Sequence, residues 1–206
     1  MGTPLRIGVD FDNTIVCYDQ VFHQVALEQG LIPPTLPVSK GAVRDHLRAV
    51  NNEDAWTAMQ GYVYGVRMID APAFPGVIDF FRRAVRGSVS VHIISHKTRY
   101  PYLGEKFDLH QAAHDWLEKN GFFNSAEVGL TRRQVYLELH KHEKLQRIDT
   151  LSCTHFIDDL PELLAERSFP KQVQRYLFDP KDEYPAVTQF RRVRSWDTVT
   201  EELLAA

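Results

Sequence analysis

Asp10 and Asp12 lie two residues apart, directly after the short apolar run from Leu5 to Val9. Two carboxylates in a loop that leaves a strand can both face a ligand above a sheet. A carboxylate is a workable nucleophile toward phosphorus. A second one can protonate the leaving oxygen and then deprotonate an attacking water. An Asp-x-Asp turn in which the acids only cap local backbone groups is the competing interpretation.

A second acidic pair, Asp158 and Asp159, ends another apolar run. Adjacent acids that are buried repel each other, and a divalent cation relieves that repulsion. Magnesium prefers oxygen ligands in near-octahedral geometry. Asp10, the main-chain carbonyl of Asp12 and Asp158 could supply the protein's share of those ligands. The alternative is that Asp159 caps the helix beginning near Pro161 and that both acids are solvated.

A hydroxyl and an ammonium group complete a set of residues that could hold a phosphoryl group. Ser95 ends a β-branched strand pattern, and its hydroxyl could donate to a phosphoryl oxygen. Lys144 precedes Asp158 by fourteen residues and could neutralise charge between a nucleophile and phosphorus. Lys141 competes for the same role. An ordinary strand-end serine and a solvated lysine are the alternatives.

The elements that must position these residues alternate between strand and helix along the chain. This alternation predicts a parallel sheet with helices on both faces, and ligands of such sheets bind at the carboxyl ends of the strands. The helices that bear on the site are expected at Lys144–Leu151 and, after two asparagines, at Glu53–Met68. The predicted strands are Leu5–Val9, Val89–Ser95, Gln134–Leu139, Thr154–Ile157 and Arg175–Phe178, with a last strand-like piece at Arg192–Trp196.

Four ordered motifs resemble those of the haloacid dehalogenase (HAD) superfamily of phosphohydrolases. They are Asp10-Phe11-Asp12-Asn13-Thr14, the strand ending in Ser95, a lysine at Lys144 or Lys141, and Phe156-Ile157-Asp158-Asp159. The resemblance spans nearly the whole core, from Leu5 to about Asp179. It implies a Rossmann-like sheet with strand order 5-4-1-2-3.

The resemblance also implies a role for each motif. Asp10 would be phosphorylated, and Asp12 would be the general acid and base. Ser95 and Lys144 would hold the phosphoryl oxygens. Mg²⁺ would be held by four residues of the two acidic motifs, which are Asp10, Asp12, Asp158 and Asp159. Family members that cleave carbon–halogen bonds lack the acid at the Asp12 position, so its presence favours phosphate substrates.

A long segment, residues 17–74, separates the first motif from the second and has helical patterns. The resemblance implies a cap that closes over the catalytic core, which would comprise residues 1–16 and 75–206. A cap excludes water and large substrates, so a small phosphorylated metabolite is the expected partner. Arg44, Arg48 and Arg67 are candidates for substrate selection within the cap.

Lys97 and Arg99 directly follow the second motif. Two cations at this position could bind a second anionic group of the substrate. A solvated loop is the alternative interpretation.

Composition narrows the classes of function. The formal net charge of −3 over 206 residues gives no sign of a nucleic-acid-binding surface. No apolar stretch approaches the ~20 residues of a membrane span, and the first residues do not read as a signal peptide. Two cysteines without a CxxC motif favour reduced thiols and a cytoplasmic location. The oligomeric state stays open.

Three other functions are compatible with parts of this pattern. One is a 5'-nucleotidase of the same superfamily. Another is a signalling receiver domain that accepts a phosphoryl group, although its adjacent acidic pair would come early in the chain rather than late. The third is a non-catalytic binding protein on the same fold.

Overall fold

The computed structural model describes residues 4–205, and its centre is one six-stranded sheet in which all strands are parallel. The strand order is β3-β2-β1-β4-β5-β6. This order confirms the predicted 5-4-1-2-3 arrangement and adds a sixth strand beside β5. The strands are β1 (Arg6–Val9), β2 (Ser90–His96), β3 (Val135–Glu138), β4 (His155–Asp158), β5 (Gln174–Phe178) and β6 (Arg191–Val193).

Eight α-helices accompany the sheet within the described residues. They are α1 (Asp19–Glu28), α2 (Lys40–Ala49), α3 (Glu53–Tyr62), α4 (Val77–Arg86), α5 (Leu109–Lys119), α6 (Lys141–Thr150), α7 (Pro161–Leu164) and α8 (Trp196–Leu204). The expected helix Glu53–Met68 ends at Tyr62, where the chain continues as a π-helical segment, Val63–Arg67, and a 3₁₀ turn, Met68–Asp70. None of the helices in residues 4–205 combines the length and apolarity that crossing a bilayer requires.

Helices cover both faces of the sheet, as predicted. Successive side chains of a strand point to opposite faces, and β5 illustrates this. Leu177 packs in one apolar cluster with residues of α6 and α7. Phe178 instead contacts Trp196 of α8, with 5.6 Å between ring centroids, and Trp196 also contacts Phe80 of α4. Both faces of the sheet are therefore buried by apolar side chains. A polar site is expected instead at the carboxyl ends of the strands.

Helix α6 begins three residues earlier than the expected start at Lys144. A capping box explains this start. The His140 side chain accepts a hydrogen bond from the Glu143 backbone, and the His140 backbone N–H donates to Glu143 Oε2 at 3.0 Å. Lys144 consequently lies within the first turns of α6 rather than at its first residue.

The chain divides into two compact units. The first comprises the chain up to Val16, Ala73–His96 and the chain from Gly121 onward, and it contains the whole sheet. The second comprises Cys17–Pro72 and Lys97–Asn120. The segment from Lys97 to Asn120, which we expected in the core, belongs to the same compact unit as the insertion.

Close packing within the second unit explains why Lys97–Asn120 belongs to it. A Cβ atom at Gly61 would lie 2.6 Å from Pro101 Cβ, so only glycine permits this approach. The indole N–H of Trp116 donates to the Ala71 carbonyl at 2.7 Å, and this hydrogen bond is buried. The proposed role of the insertion as a cap stays a prediction.

Candidate active site

The loop after β1 is held by backbone hydrogen bonds. The Asp10 N–H donates to the Ile157 carbonyl of β4 at 2.9 Å, which fixes the first acid beside the second acidic motif. The N–H groups of Ile15 and Val16 both donate to the Phe11 carbonyl, at 3.0 and 3.1 Å. Asn13 has a φ of 60°, a left-handed conformation that asparagine tolerates better than most residues.

Two further contacts hold this loop from outside. The indole N–H of Trp196 donates to the Thr14 carbonyl at 3.0 Å in a buried hydrogen bond. The Thr14 hydroxyl donates to Asp159 Oδ1 at 3.4 Å. Thr14 thus links the first acidic motif to the second.

Lys144 lies between two buried carboxylates. Its Nζ is 2.5 Å from Asp10 Oδ1 and 2.6 Å from Asp158 Oδ2. All three side chains are buried. Lys141, the other candidate, is exposed and pairs with Glu166. The structure therefore brings Lys144, and not Lys141, to Asp10.

Lys144, Asp10 and Asp158 form a buried triad. For Lys144 and for Asp158, burial and the neighbouring opposite charge shift the pKa in opposite directions. Burial alone lowers the pKa of Lys144, but the charges of Asp10 and Asp158 outweigh it and hold that pKa above its usual value. For Asp158, burial is the largest effect and raises the pKa to about 7, although Lys144 opposes the rise and Asp10 adds to it.

Asp10, Asp158 and Asp159 form a cluster of three carboxylates. One oxygen atom from each lies within 4.8 Å of the other two. Carboxylate oxygens are the ligands that Mg²⁺ prefers, and the excess negative charge suits a divalent cation. These three residues therefore fit a magnesium ion. The carboxylate of Asp12 is not part of the cluster, and its expected contribution through the main-chain carbonyl stays a prediction.

Ser95 is almost fully buried near the carboxyl end of β2, two places across the sheet from β4. A serine hydroxyl can donate a hydrogen bond to a ligand oxygen. Asp12 is half-buried, and its backbone forms an isolated bridge with Val16.

Sequence reasoning gave no role to Thr14 or Trp196, although both position the acidic motifs. Thr14 stands inside the quoted first motif, and a hydroxyl near two acids could have been recognised as a positioning group. Trp196 is 182 residues away along the chain from its partner Thr14. No local pattern could have indicated that contact.

No protein-family model and no curated protein matches the sequence. Solved structures do match over nearly the whole chain. A HAD family hydrolase from Deinococcus radiodurans, with bound phosphate and sodium, is 15% identical, with a TM-score of 0.62 and coverage of 98% of this chain and 96% of that one. The HAD-hydrolase YfnB from Bacillus subtilis, bound to magnesium, is 13% identical, with a TM-score of 0.58 and coverage of 98% and 100%.

A dehalogenase structure is also similar, at 10% identity and a TM-score of 0.58 over the full length of both chains. At these identities the similarity concerns the fold. The chain has the HAD-like fold, as the motifs predicted.

Proposed function

We propose that this chain is a magnesium-dependent phosphohydrolase that cleaves small phosphate monoesters through an aspartyl phosphate on Asp10. The observation that carries the proposal is the buried triad in which Lys144 contacts both Asp10 and Asp158. Three carboxylates and an ammonium group gathered at the carboxyl edge of a parallel sheet suit a phosphoryl group and a cation better than any apolar ligand.

The proposed reaction has two steps. Lys144 holds Oδ1 of Asp10, which leaves Oδ2 for attack on phosphorus. The bond between phosphorus and the ester oxygen breaks as the Asp10–phosphorus bond forms, and Asp12 gives its proton to the leaving oxygen. In the second step Asp12 takes a proton from water, the water oxygen bonds to phosphorus, and the Asp10–phosphorus bond breaks to release phosphate.

The remaining residues act by charge and by position. Lys144 and Ser95 would hold the phosphoryl oxygens, and Asp10, Asp158 and Asp159 would hold Mg²⁺. When bound, Mg²⁺ supplies positive charge that offsets the charge of the phosphoryl group and orients it. Thr14 is a positioning residue, because its hydroxyl reaches Asp159.

Asp12 favours a phosphatase over a dehalogenase. A dehalogenase needs no proton donor for a halide leaving group, whereas an alkoxide leaving group does. The phosphate-bound and magnesium-bound relatives in fold are consistent with this choice. Because a dehalogenase has the same fold, a haloacid belongs in the substrate screen.

A small phosphorylated metabolite is the proposed substrate, and the insertion is the proposed cap. Closure of a cap over a catalytic site excludes water and bulky substrates. YfnB, which shows interdomain movement, is a precedent for such closure on this fold.

A substrate screen tests the proposed function. Purified protein is assayed against phosphate monoesters, nucleoside monophosphates and a haloacid, with Mg²⁺ and with a chelator, beside Asp10→Asn. We expect phosphate release that requires Mg²⁺ and is abolished in Asp10→Asn. Halide release without phosphate release, or full activity in excess chelator, would contradict the proposal.

The role of Asp12 has a separate test. Asp12→Asn should lose far more activity toward alkyl phosphates than toward aryl phosphates with acidic leaving groups, because the latter need little protonation. The measurement is the rate of the first turnover against leaving-group pKa. Equal losses across the series would argue against a general acid at Asp12.

A further inference from the structure

A phenylalanine ring lies against the buried triad of Lys144, Asp10 and Asp158. Lys144 Nζ lies over the ring of Phe156, 5.4 Å from its centroid. Both side chains are buried. The ammonium group of Lys144 therefore has one aromatic face as a neighbour in addition to the two carboxylates with which it pairs.

The order of residues along two adjacent strands explains this arrangement. Gly8 of β1 and Phe156 of β4 are directly opposite each other in the sheet. Asp10 and Asp158 each follow two residues later, and side chains two residues apart point to the same face of a sheet. Phe156 therefore lies next to the carboxylates, toward the amino ends of the strands and on the face that α6 covers.

Gly8 provides the space that the ring occupies. A Cβ atom at this position would lie 2.6 Å from Phe156 Cδ2 and 3.1 Å from Ile94 Cδ1. The first distance is shorter than any van der Waals contact, so a side chain at Gly8 would force the ring to move. Glycine thus allows Phe156 to lean across β1 beside the triad.

An aromatic face suits this ammonium group better than a further polar group would. The face attracts a cation electrostatically, and the attraction is stronger where water is excluded. It accepts no proton and adds no net charge, so the ammonium group keeps its charge for a phosphoryl oxygen. A lysine side chain is flexible, and a ligand that must order it loses affinity. The ring restricts that freedom before any ligand binds.

We propose that Phe156 is a positioning residue that fixes the Lys144 ammonium group at the phosphoryl site, and that Gly8 is required to admit its ring. This role rests on the proposed phosphohydrolase function and adds a residue to its machinery. Phe156 acts through Lys144 and does not itself contact the substrate.

The same apolar cluster offers a matched control. Phe169 is also buried in this cluster, with its ring centroid 6.0 Å from that of Phe156, but its ring lies beside Arg175. Phe156→Leu and Phe169→Leu remove the same atoms from one cluster. Only the first removes the aromatic face beside Lys144.

A double-mutant cycle without ligand tests the contact. Urea unfolding in chelator is measured for the wild type, Phe156→Leu, Lys144→Met and the double variant. We expect Phe156→Leu to change the unfolding equilibrium constant about three- to tenfold less in the Lys144→Met background than in the wild type. Phe169→Leu should have the same effect in both backgrounds, to within about twofold. Equal effects of Phe156→Leu in both backgrounds would overturn the contact.

Binding of inorganic phosphate tests the positioning role. Calorimetric titration in Mg²⁺ should show about three- to tenfold weaker phosphate binding in Phe156→Leu, because Lys144 is less well ordered. Gly8→Ala keeps the ring but displaces it, and it should weaken phosphate binding as well. Phe169→Leu should bind phosphate as the wild type does. Mg²⁺ affinity without phosphate should stay within about twofold in all three variants, because the carboxylates are unchanged.

Wild-type phosphate affinity in both Phe156→Leu and Gly8→Ala, or equal losses in Phe156→Leu and Phe169→Leu, would overturn the positioning role while leaving the proposed function intact. A wild-type protein that neither binds phosphate nor releases it from esters would contradict the proposed function and the positioning role together. The unfolding cycle involves no ligand, so it decides the contact between Phe156 and Lys144 in either case.

Discussion

Asp158 is the residue at which folding and the proposed chemistry conflict most. It is fully buried, and it shares the Lys144 ammonium with Asp10, so ionising it in the folded protein is unfavourable. A bound divalent cation would relieve the same repulsion. The site is therefore best stabilised with its metal present.

The raised pKa of Asp158 predicts how stability and metal affinity depend on pH. Its pKa rises from an ordinary 3.8 to about 7 on folding, so between these values the metal-free folded protein binds more protons than the unfolded chain. The contribution of Asp158 to the free energy of unfolding is thus present below about pH 4 and lost by about pH 7. Mg²⁺ must displace that proton, so its apparent affinity should rise about tenfold per pH unit up to about pH 6 and level off above about pH 7.

Denaturant unfolding in chelator and calorimetric Mg²⁺ titration across this pH range measure the two effects. Asp158→Asn is the matched variant. It should remove the loss of stability that Asp158 causes between about pH 4 and pH 7, and it should weaken Mg²⁺ binding by more than it weakens folding, because it also removes a repulsion. The same pH dependence in Asp158→Asn as in the wild type would assign the titration to another group.

Lys144 should contribute far more to the free energy of unfolding than Lys141 does. Lys144→Met leaves two buried carboxylates without their cation, and breaking such a buried pair lowers the free energy of unfolding by about 3 to 5 kcal/mol. Mg²⁺ should restore part of that loss. Lys141→Met removes an exposed pair with Glu166, which contributes about 0 to 1 kcal/mol. Urea unfolding of both variants with and without Mg²⁺ measures the difference, and equal losses would contradict the structure.

The sequence predicted that the two acidic motifs lie together, because each motif follows a strand with a local sequence pattern. Asp10 and Asp158 follow apolar runs that form adjacent strands, and adjacent parallel strands bring their carboxyl ends together. The choice between Lys144 and Lys141 depended on where α6 begins. The His140–Glu143 capping box decides that, and a histidine is an unusual N-cap. The contact between Trp196 and Thr14 is a consequence of the fold and has no local signal.

At the scale of elements, the segment from Glu53 to Asp70 departs most from its sequence pattern. Helical periodicity predicts one continuous helix, but the chain changes to a π-helical turn at Val63. Gly61 and Gly65 leave space for Pro101 and Phe107 of the segment that follows β2. A tertiary contact of this kind cannot be derived from periodicity. The strands, by contrast, were predictable to within a few residues because most of them contain a short apolar run between turn residues.

Gly65→Ala tests the importance of this close packing. The new Cβ atom would overlap Phe107 Cβ, which cannot move without its backbone. We expect a loss of about 1 to 3 kcal/mol in the free energy of unfolding, as for other overpacked sites.

Gly41→Ala is the control, since its Cβ would meet only Ser39 Oγ, at 3.5 Å, within helix α2. It should stabilise the protein by about 0.5 to 1 kcal/mol. Urea unfolding measures the free energy of unfolding of both variants. Similar values for the two would show that the second unit tolerates a wider separation of Gly65 from Phe107.

At the scale of the whole molecule, the two units suggest a division of labour. The first unit holds every proposed catalytic group, and the second holds most of the insertion that is the proposed cap. Three arginines were candidates for substrate selection. In the structure each is engaged in ion pairs within the second unit: Arg44 with Asp45, Arg48 with Glu53, and Arg67 with Glu28 and Asp70.

The covalent step on Asp10 is the central claim, and rapid-quench mass spectrometry tests it most directly. Mg²⁺-loaded protein is mixed with an aryl phosphate, quenched in acid within the first turnover and digested. We predict that the peptide containing Asp10 gains the mass of one phosphoryl group. This gain should be absent in chelator and in Asp10→Asn. Phosphate release by the wild type with no label on that peptide, or wild-type turnover by Asp10→Asn, would contradict the account.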